Sequence, residues 1–337
     1  MDVYILDPAL IRSSASTYER ACYDGLVGST ARDRPYRHRR VSRMEHADLI
    51  LAPVQGEAFG PHFLDLRTSA IYHEYRNKLF CYCPDDRIYP TLPGVYPAAT
   101  PFWAKQGWVC GGHYISSHIR RHGFDPVLGS PQRHYLFSFV GSSWTHRIRA
   151  KLLQLRHPRA LLVDSSASRG DPWYHRELHT VEQLYERFRE GLSQTKFALC
   201  PRGVAASSIR LFEAMEAGCV PVVIADDIVL PTGPEWDAFC VRVPEANVDA
   251  LPTLLESLEE RFETMSTIAR ATWEAYFSPE ATFDSIADWS ASLLQRLPPG
   301  RRSRLELQAH LGEYALPSNL RTLGRHAVRR WRGRAHA

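Results

Sequence analysis

The chain has 337 residues, of which 44% are hydrophobic and 23% are charged. This is the composition of a globular protein with one or two domains, and it excludes a disordered, collagen-like or coiled-coil chain. The formal net charge is +4, but residues 301–337 alone carry nine arginines against two glutamates, so the rest of the chain is mildly acidic.

Three further features of the sequence predict the compartment. No apolar run approaches the roughly 18 residues that a membrane-spanning helix needs. The first residues, MDVYILDPALIRSSA, have neither a basic segment nor a long apolar one, so we expect no secretory signal. The seven cysteines are scattered and form no Cys-x-x-Cys pair, which predicts free thiols rather than disulfides or a metal site. These features together predict a reduced, cytoplasmic environment.

The first half of the chain has few regular patterns. Short apolar runs predict strands at residues 3–6, 47–52 and 78–83, and residues 60–76 have helical spacing. An arginine-rich stretch occupies residues 32–43. Residues 84–104 are rich in proline, glycine and aromatic residues, which predicts a long loop.

The second half alternates regularly between apolar runs and helical spacing. Strands are predicted at residues 135–141, 160–164, 196–200, 220–225 and 239–243. Helices are predicted at residues 145–155, 180–191 and 207–217, and three amphipathic segments fill residues 249–295. This alternation predicts a parallel sheet with right-handed crossovers.

Three predicted strand ends carry residues suited to binding a ligand. They read VGSS at 140–143, PRG at 201–203 and ADD at 225–227. Ligands bind beyond the carboxyl ends of the strands in open parallel sheets, where small residues and helix starts favour anions. Arg147 and Arg202 add charge that suits a pyrophosphate. Ordinary turns with surface arginines are the alternative interpretation.

The helix predicted at residues 207–217 carries Arg210 and Glu213 three residues apart, on a face away from its apolar stripe. One interpretation is an exposed salt bridge. The other is a ligand pair, in which Glu213 accepts hydrogen bonds from ribose hydroxyls and Arg210 reaches phosphate. Neither Gly-x-Gly-x-x-Gly nor a P-loop sequence occurs, which argues against the usual dehydrogenases and P-loop NTPases.

These segments together resemble the exostosin family, glycosyltransferase family 47. The resemblance is carried by SQTKFALCPRG at 193–203, SSIRLFEAMEAGCVPVVIADD at 207–227 and LP at 230–231. Upstream, FSFVG at 137–141 with Arg147 and Arg149 is similar to another family segment. PFW at 101–103 and GGHY at 111–114 are similar to a looser one, in which Gly112 stands where the family has an aspartate.

The resemblance implies a GT-B-like α/β fold, with two Rossmann-like domains that face each other across a cleft. We expect an acceptor-side domain at residues 1–130, a nucleotide-sugar domain at 131–298 and a basic tail at 299–337. The implied reaction is an inverting transfer from a nucleotide-sugar, expected to be UDP-linked, to a glycan or lipid-linked acceptor in surface polysaccharide synthesis. Neither a metal nor another cofactor is expected.

The resemblance and the chemistry of the reaction together predict the site residues. The diphosphate and the nucleotide are expected to be bound by Arg147, Arg202, Gly203, Ser207, Ser208, Arg210 and Glu213. His113 is the predicted general base, although a single histidine is often structural. Glu57, Glu74, Asp85 and Asp86 compete for that role. Asp226 and Asp227 are interpreted first as loop structure and second as a substrate contact.

Two other functions remain open at this point. One is a non-catalytic partner or glycan-binding subunit, which the missing aspartate before His113 favours, and the other is a nucleotide-sugar epimerase on the same fold. The basic tail, with Trp331 among its arginines, predicts either contact with an anionic membrane at its inner face or a solvated end. The acidic body argues against nucleic-acid binding.

Overall fold

The computed structural model describes residues 1–11, 17–31, 35–54, 65–86, 90–115, 133–167 and 188–314, the last five of these as backbone only. The chain divides into two compact units. The first contains residues 1–120, 229–232 and 279–337, and the second contains residues 121–228 and 233–278. Each unit is built on a parallel sheet with flanking helices, which confirms the predicted α/β class with two Rossmann-like domains.

The first unit contains a six-stranded sheet in the order β2-β1-β3-β4-β5-β6, with every pairing parallel. Its strands are β1 Asp2–Ile5, β2 Arg39–Arg40, β3 Leu49–Pro53, β4 Leu79–Tyr82, β5 Gly94–Tyr96 and β6 Val109–Gly111. Every residue of β3 and β4 is buried, as expected of strands covered on both faces.

The helices of the first unit are α1 Thr17–Ser29, α2 Ala70–Tyr75, α3 Pro101–Lys105, α8 Thr282–Arg296 and α9 Pro299–Tyr314. Helix α8 packs on β3, β5, β6 and α1. The expected boundary at residue 298 therefore differs from the structure, in which the chain returns to the first unit at residue 279.

The second unit contains a five-stranded parallel sheet in the order β11-β10-β9-β7-β8. Its strands are β7 Tyr135–Gly141, β8 Ala160–Asp164, β9 Thr195–Pro201, β10 Val220–Ile224 and β11 Val241–Arg242. Its helices are α4 Arg147–Leu152, α5 Arg210–Glu216, α6 Leu251–Ser257 and α7 Phe262–Tyr276. Helices α5 and α7 pack together and cover β10, so the core lies between sheet and helices.

Helix α5 ends in a turn that only glycine adopts easily. Gly218 has a φ of +68°, in the left-handed region where other residues are strained. The Cys219 N–H donates to the Ala214 carbonyl at 2.8 Å, which closes the last turn and directs the chain into β10. The Gly-Cys pair of the sequence motif is therefore a helix terminator.

The prediction of a long loop over residues 84–104 is wrong, because this stretch contains β5 and most of α3. The sequence also gave no prediction for α1 or β6. Strands β5 and β6 are three residues long and contain glycine, so they carry no period that a pattern search can detect. Most of the helix predicted at residues 180–191 lies outside the described residues.

The beginning of the predicted tail is part of the first unit. Arg302 on α9 is 2% exposed, its Nη2 donates to the Leu79 carbonyl at 2.6 Å, and its guanidinium lies 4.9 Å from the centre of the Phe80 ring. Residues 315–337, with the predicted amphipathic segment, lie outside the described residues. Within the described part, no helix combines the length and the hydropathy needed to cross a membrane.

One ion-pair cluster in the second unit joins the start of α7 to the sheet. The two guanidinium nitrogens of Arg159 donate to the two carboxylate oxygens of Glu259 at 2.6 and 2.7 Å, and Lys196 Nζ donates to the same carboxylate at 2.7 Å. The hydrogen bonds from Arg159, and then those from Lys196, outweigh the effect of burial and lower the pKa of Glu259 from 4.5 to about 2.

We expect Glu259→Gln to destabilise the protein at neutral pH by about 1–2 kcal/mol, because charge-assisted hydrogen bonds are lost. A carboxylate whose pKa is lowered by folding stabilises the folded state above its unfolded pKa. The difference between wild type and variant should therefore shrink as the pH falls from about 4.5 towards 2. Urea unfolding at several pH values measures this. Glu260→Gln, at the exposed neighbouring residue, is the control, and equal destabilisation by both variants would contradict the assignment.

Candidate functional site

The second sheet has one topological switch point, between β7 and β9. The chain runs from β7 outward to β8 and then returns past β7 to form β9 on its other side. The connections that leave the carboxyl ends of β7 and β9 therefore diverge, and ligands of open parallel sheets bind where they diverge. Two of the three predicted strand ends lie at this point.

Arg149 on α4 joins the two loops across the switch point. Its Nε donates to the Arg202 carbonyl at 2.8 Å, and its two terminal nitrogens donate to the carbonyls of Pro201 and Ser142 at 3.4 Å each. Its guanidinium lies 5.7 Å from the centre of the Phe139 ring. Arg149 therefore fixes the spacing of the loops that follow β7 and β9.

The loop after β7 is held to the end of β8 by hydroxyl groups. Ser143 Oγ donates to Asp164 Oδ2 at 2.8 Å, and Ser142 Oγ lies 2.8 Å from Ser166 Oγ. Burial acts to raise the pKa of Asp164, but the hydrogen bonds from Ser166 and Ser143 outweigh it and hold this pKa below its ordinary value. The loop is thus ordered by its own hydrogen bonds.

Helix α4 begins with His146 as its N-cap, whose ring nitrogen accepts from the Ile148 N–H. Burial, and then the positive charge of Arg202, lower the pKa of His146, which suits a ring that must accept a hydrogen bond. Arg147, the first residue of α4, is exposed. The end of β7 is therefore a basic surface with a helix start, as the sequence predicted.

The loop after β9 contains two buried polar atoms without a partner in the described part of the chain, Arg202 Nε and Ser208 Oγ. Within the described residues, the Arg202 guanidinium forms a long ion pair with Glu245, at 3.5 Å, and its side chain is 21% exposed. Glu245 is also joined to the third strand end, because its backbone N–H donates to Asp226 Oδ1 at 3.0 Å and its Oε1 accepts from the Asp226 N–H at 3.5 Å. A buried donor without a partner costs free energy unless a ligand or water satisfies it.

Arg210 and Glu213 form the predicted pair, but it is not exposed. Arg210 Nη1 donates to Glu213 Oε2 at 2.6 Å, with side chains that are 19% and 4% exposed. The Arg210 guanidinium lies 4.0 Å from the centre of the Phe188 ring. The exposed salt bridge of the sequence analysis is therefore excluded, and a partly buried ion pair at the start of α5 takes its place.

The structure brings most of the predicted donor-site residues to one edge of the second sheet. Arg147 follows β7, the residues from Arg202 to Ser208 follow β9, and Arg210 with Glu213 begins α5. Gly203 and Ser207 lie in the same loop, where the Gly203 N–H donates a hydrogen bond to the Ser207 carbonyl at 3.4 Å. Sequence alone predicts no role for Glu245 and places Arg149 only within a motif, because both side chains contact residues that are far away in sequence.

His113 belongs to the first unit, where it follows the edge strand β6. Its side chain is 1% exposed, its Nε2 lies 3.0 Å from Thr282 Oγ1, and its ring packs edge-on against Trp289. A Cβ added at Gly112 would lie 2.4 Å from a Val95 methyl group. The aspartate that the family has at that position therefore does not fit here without movement.

The other candidate bases are spread over the first unit. Asp86 is exposed and accepts a hydrogen bond from the Tyr114 hydroxyl at 3.2 Å, and Asp85 precedes it. Glu74 is exposed on α2, and Glu57 lies outside the described residues. Among the residues that the structure describes, no three His, Cys, Asp or Glu side chains lie close enough together to hold a metal ion.

Comparison with known proteins agrees with the sequence resemblance. Residues 113–258 match the Exostosin GT47 domain. Exostosin-2 of Bos taurus is 35% identical over 154 residues, which cover 44% of this chain and 21% of that protein. A probable glucuronosyltransferase of Oryza sativa subsp. japonica is 30% identical over 186 residues, which cover 46% of this chain and 44% of that protein. The chain thus spans less than half the length of these relatives.

Among solved structures, Anabaena HepE in complex with UDP and glucose aligns with 87% of this chain and 100% of its own, at 11% identity and a TM-score of 0.40. The fold described above follows from this chain's own strand order and not from that similarity. The predicted resemblance to the exostosin family is confirmed over residues 113–258, which match the Exostosin GT47 domain.

We expect Arg149→Met to lower the unfolding free energy by about 1–3 kcal/mol, because three backbone carbonyls lose a charged donor. Arg156→Met is the matched control, since Arg156 is an exposed arginine just after the same helix. Thermal and urea unfolding of both variants measure the difference. Equal stability of the two variants would show that Arg149 does not hold the loops together.

Proposed function

We propose that this chain, whose residues 113–258 match the Exostosin GT47 domain, is an inverting glycosyltransferase that uses a UDP-linked sugar. The observation that supports the proposal most is the loop after β9, where Arg202 Nε and Ser208 Oγ are buried without partners in the described residues. These two donors lie in the loop after β9. The basic start of α4 follows β7, which is the other strand at the switch point. A diphosphate supplies the acceptor oxygens that such a loop requires.

The proposed mechanism follows from the charge that develops as the sugar leaves. Breaking the bond between the anomeric carbon and the β-phosphate oxygen leaves negative charge on the diphosphate. Arg147 and the loop from Arg202 to Ser208 are proposed to stabilise that charge, with Arg210 in support. The arginines supply positive charge directly, so we propose that the reaction needs no metal ion.

Glu213 is proposed to recognise the nucleoside. Its carboxylate is 4% exposed and lies near the start of α5, ten residues after Gly203 of the phosphate-binding loop. A carboxylate at such a position suits the ribose hydroxyls. The ion pair with Arg210 would hold Glu213 in place while Arg210 faces the phosphates.

The transferred sugar is proposed to be a hexosyl or glycuronosyl unit. The rice relative is named a probable glucuronosyltransferase, which supports the second of these. The acceptor is proposed to be a glycan or a lipid-linked glycan in surface polysaccharide synthesis. We also propose a cytoplasmic location, with the basic residues 315–337 as the segment that would contact an anionic membrane.

A second candidate function is a non-catalytic partner or glycan-binding subunit. The observation that favours it is Gly112, whose surroundings leave no room for the family's aspartate. Nucleotide binding without turnover would be its signature.

We expect UDP to bind more tightly than GDP, CMP or ADP, and equally well with Mn²⁺ or with EDTA. A nucleotide present at 100 times its Kd stabilises the folded state by about 2.7 kcal/mol, so a thermal-shift screen detects it and calorimetry measures the affinity. Arg202→Met should weaken UDP binding by roughly tenfold or more, since a charge-assisted hydrogen bond is worth about 1.5–3 kcal/mol. Arg147→Met and Glu213→Gln should weaken it as well.

Arg156→Met again serves as the control, because it removes an arginine near α4 without changing the proposed site. Preference for another nucleotide would keep the donor site and change the donor. Binding that is unchanged in Arg202→Met would contradict the assignment of this loop. Binding of none of the nucleotides would contradict the proposed function.

His113 needs its own test, because its burial and its bond to Thr282 support a structural role beside the predicted catalytic one. We expect His113→Phe to lower the unfolding temperature and to leave the turnover of the remaining folded protein within a few-fold of wild type. Unfolding curves and UDP release from a UDP-sugar measure these two properties. Loss of turnover at unchanged stability and unchanged UDP affinity would identify His113 as the base instead.

A further inference from the structure

Glu245 places a negative charge beside a loop that is proposed to bind an anion. It follows β11, and its Oε1 lies 3.5 Å from Arg202 Nη1, with both side chains mostly buried. The same oxygen accepts from the Asp226 N–H, also at 3.5 Å. One carboxylate therefore joins the segments that follow β9, β10 and β11 at the carboxyl edge of the second sheet.

The contact between Glu245 and Arg202 is loose. A charge-assisted hydrogen bond between a guanidinium and a carboxylate usually measures about 2.7–2.9 Å, whereas both contacts of Glu245 Oε1 measure 3.5 Å. The backbone is held more closely, because the Glu245 N–H donates to Asp226 Oδ1 at 3.0 Å. The carboxylate is thus fixed near Arg202 without saturating it, and Arg202 Nε has no partner in the described part of the chain.

The charge of Glu245 also acts on the other side of the switch point. His146 caps α4, which follows β7, and the pKa of its ring is lowered by burial and then by the charge of Arg202. Glu245 acts on the same pKa in the opposite direction. A diphosphate held by the Arg202 loop and the start of α4 would therefore be attracted by Arg202 and repelled by Glu245.

The donor and the product of the proposed transfer differ in charge at this position. The acceptor oxygen bonds to the anomeric carbon and loses its proton, while the bond from that carbon to the β-phosphate oxygen breaks and leaves its electron pair on the phosphate. The β-phosphate, esterified to the sugar in the donor, is thus terminal in UDP. A terminal phosphate loses its second proton with a pKa of about 6, so UDP at neutral pH carries about one more negative charge than the UDP-sugar.

We propose that Glu245 discriminates against free UDP relative to the UDP-sugar and so favours release of the product. This inference rests on the proposed function, because it concerns the same diphosphate site. Glu245 competes with the bound phosphate for Arg202, and its charge opposes UDP more strongly than it opposes the less charged donor. Because it acts through Arg202, Glu245 determines specificity and is not a catalytic residue.

The test compares Glu245→Gln with Glu260→Gln, which removes the same charge from an exposed residue of the second unit. The glutamine oxygen can still accept from the Asp226 N–H, so the loops stay joined. Calorimetry measures the affinities for UDP and for its β-methyl ester, which has the charge of a UDP-sugar without any sugar. Glu245→Gln should tighten UDP by about five- to tenfold and the ester by about twofold or less. Glu260→Gln should match the wild type with both ligands.

Two further variants separate competition for Arg202 from a structural effect. In the Arg202→Met background, Glu245→Gln should lose most of its effect on UDP affinity, because the guanidinium for which the two anions compete is absent. Glu245→Asp keeps the charge and shortens the side chain, so its UDP affinity should lie between those of the wild type and Glu245→Gln. It also tests the contact if Glu245→Gln does not fold.

The outcomes separate this inference from the proposed function. UDP binding that is equal or weaker in Glu245→Gln, or equal tightening of UDP and its methyl ester, overturns the role of Glu245 and leaves the donor site standing. An effect that persists undiminished in the Arg202→Met background overturns the competition for Arg202. Absence of UDP binding by the wild type overturns the proposed function, and this inference with it.

Discussion

Parallel pairing is the constraint on which the rest of this structure depends. Each parallel strand must be reached by a crossover, so all the carboxyl ends of a sheet lie along one edge. Where the chain reverses its direction of travel across the sheet, neighbouring loops diverge and leave backbone groups without partners. Both sheets of this protein have one such reversal, and the candidate site of the second unit lies at the reversal of its sheet. The chemistry of that site therefore depends on which residues the sequence places at the reversal.

In the second unit, arginines lie where the chain reverses its direction across the sheet. Their hydrogen bonds leave positive charge there that suits an anion. Arg149 donates to three backbone carbonyls, which belong to the loops on the two sides of the reversal. Arg202 has one long contact with Glu245 and a buried Nε without a partner in the described residues. The charge that remains is what a diphosphate would neutralise.

The sequence predicts the second unit better than the first for a physical reason. Strands such as β7 and β8 are five to seven residues long and apolar, and their predicted and observed bounds coincide. In the first unit β5 and β6 are three residues long, and their place is fixed by pairing with neighbours rather than by any period of their own. The candidate donor-site residues can be proposed from the sequence because they follow strands in a recognisable motif. The contact between Arg202 and Glu245 cannot be predicted in this way, because only the folded sheet brings the loop after β9 to the residues after β11.

The domain boundary shows the limit of pattern reasoning most clearly. The amphipathic stripe of α8 predicts that one face is buried, but it does not say which sheet buries it. Polar contacts show that α8 packs in the first unit. Asp284, fully buried, accepts from the backbone N–H groups of Arg37 and His38, and Asp288 accepts from both of their side chains. Because these partners lie about 250 residues earlier in the chain, the membership of α8 in the first unit depends on long-range pairing of charges that no local window contains.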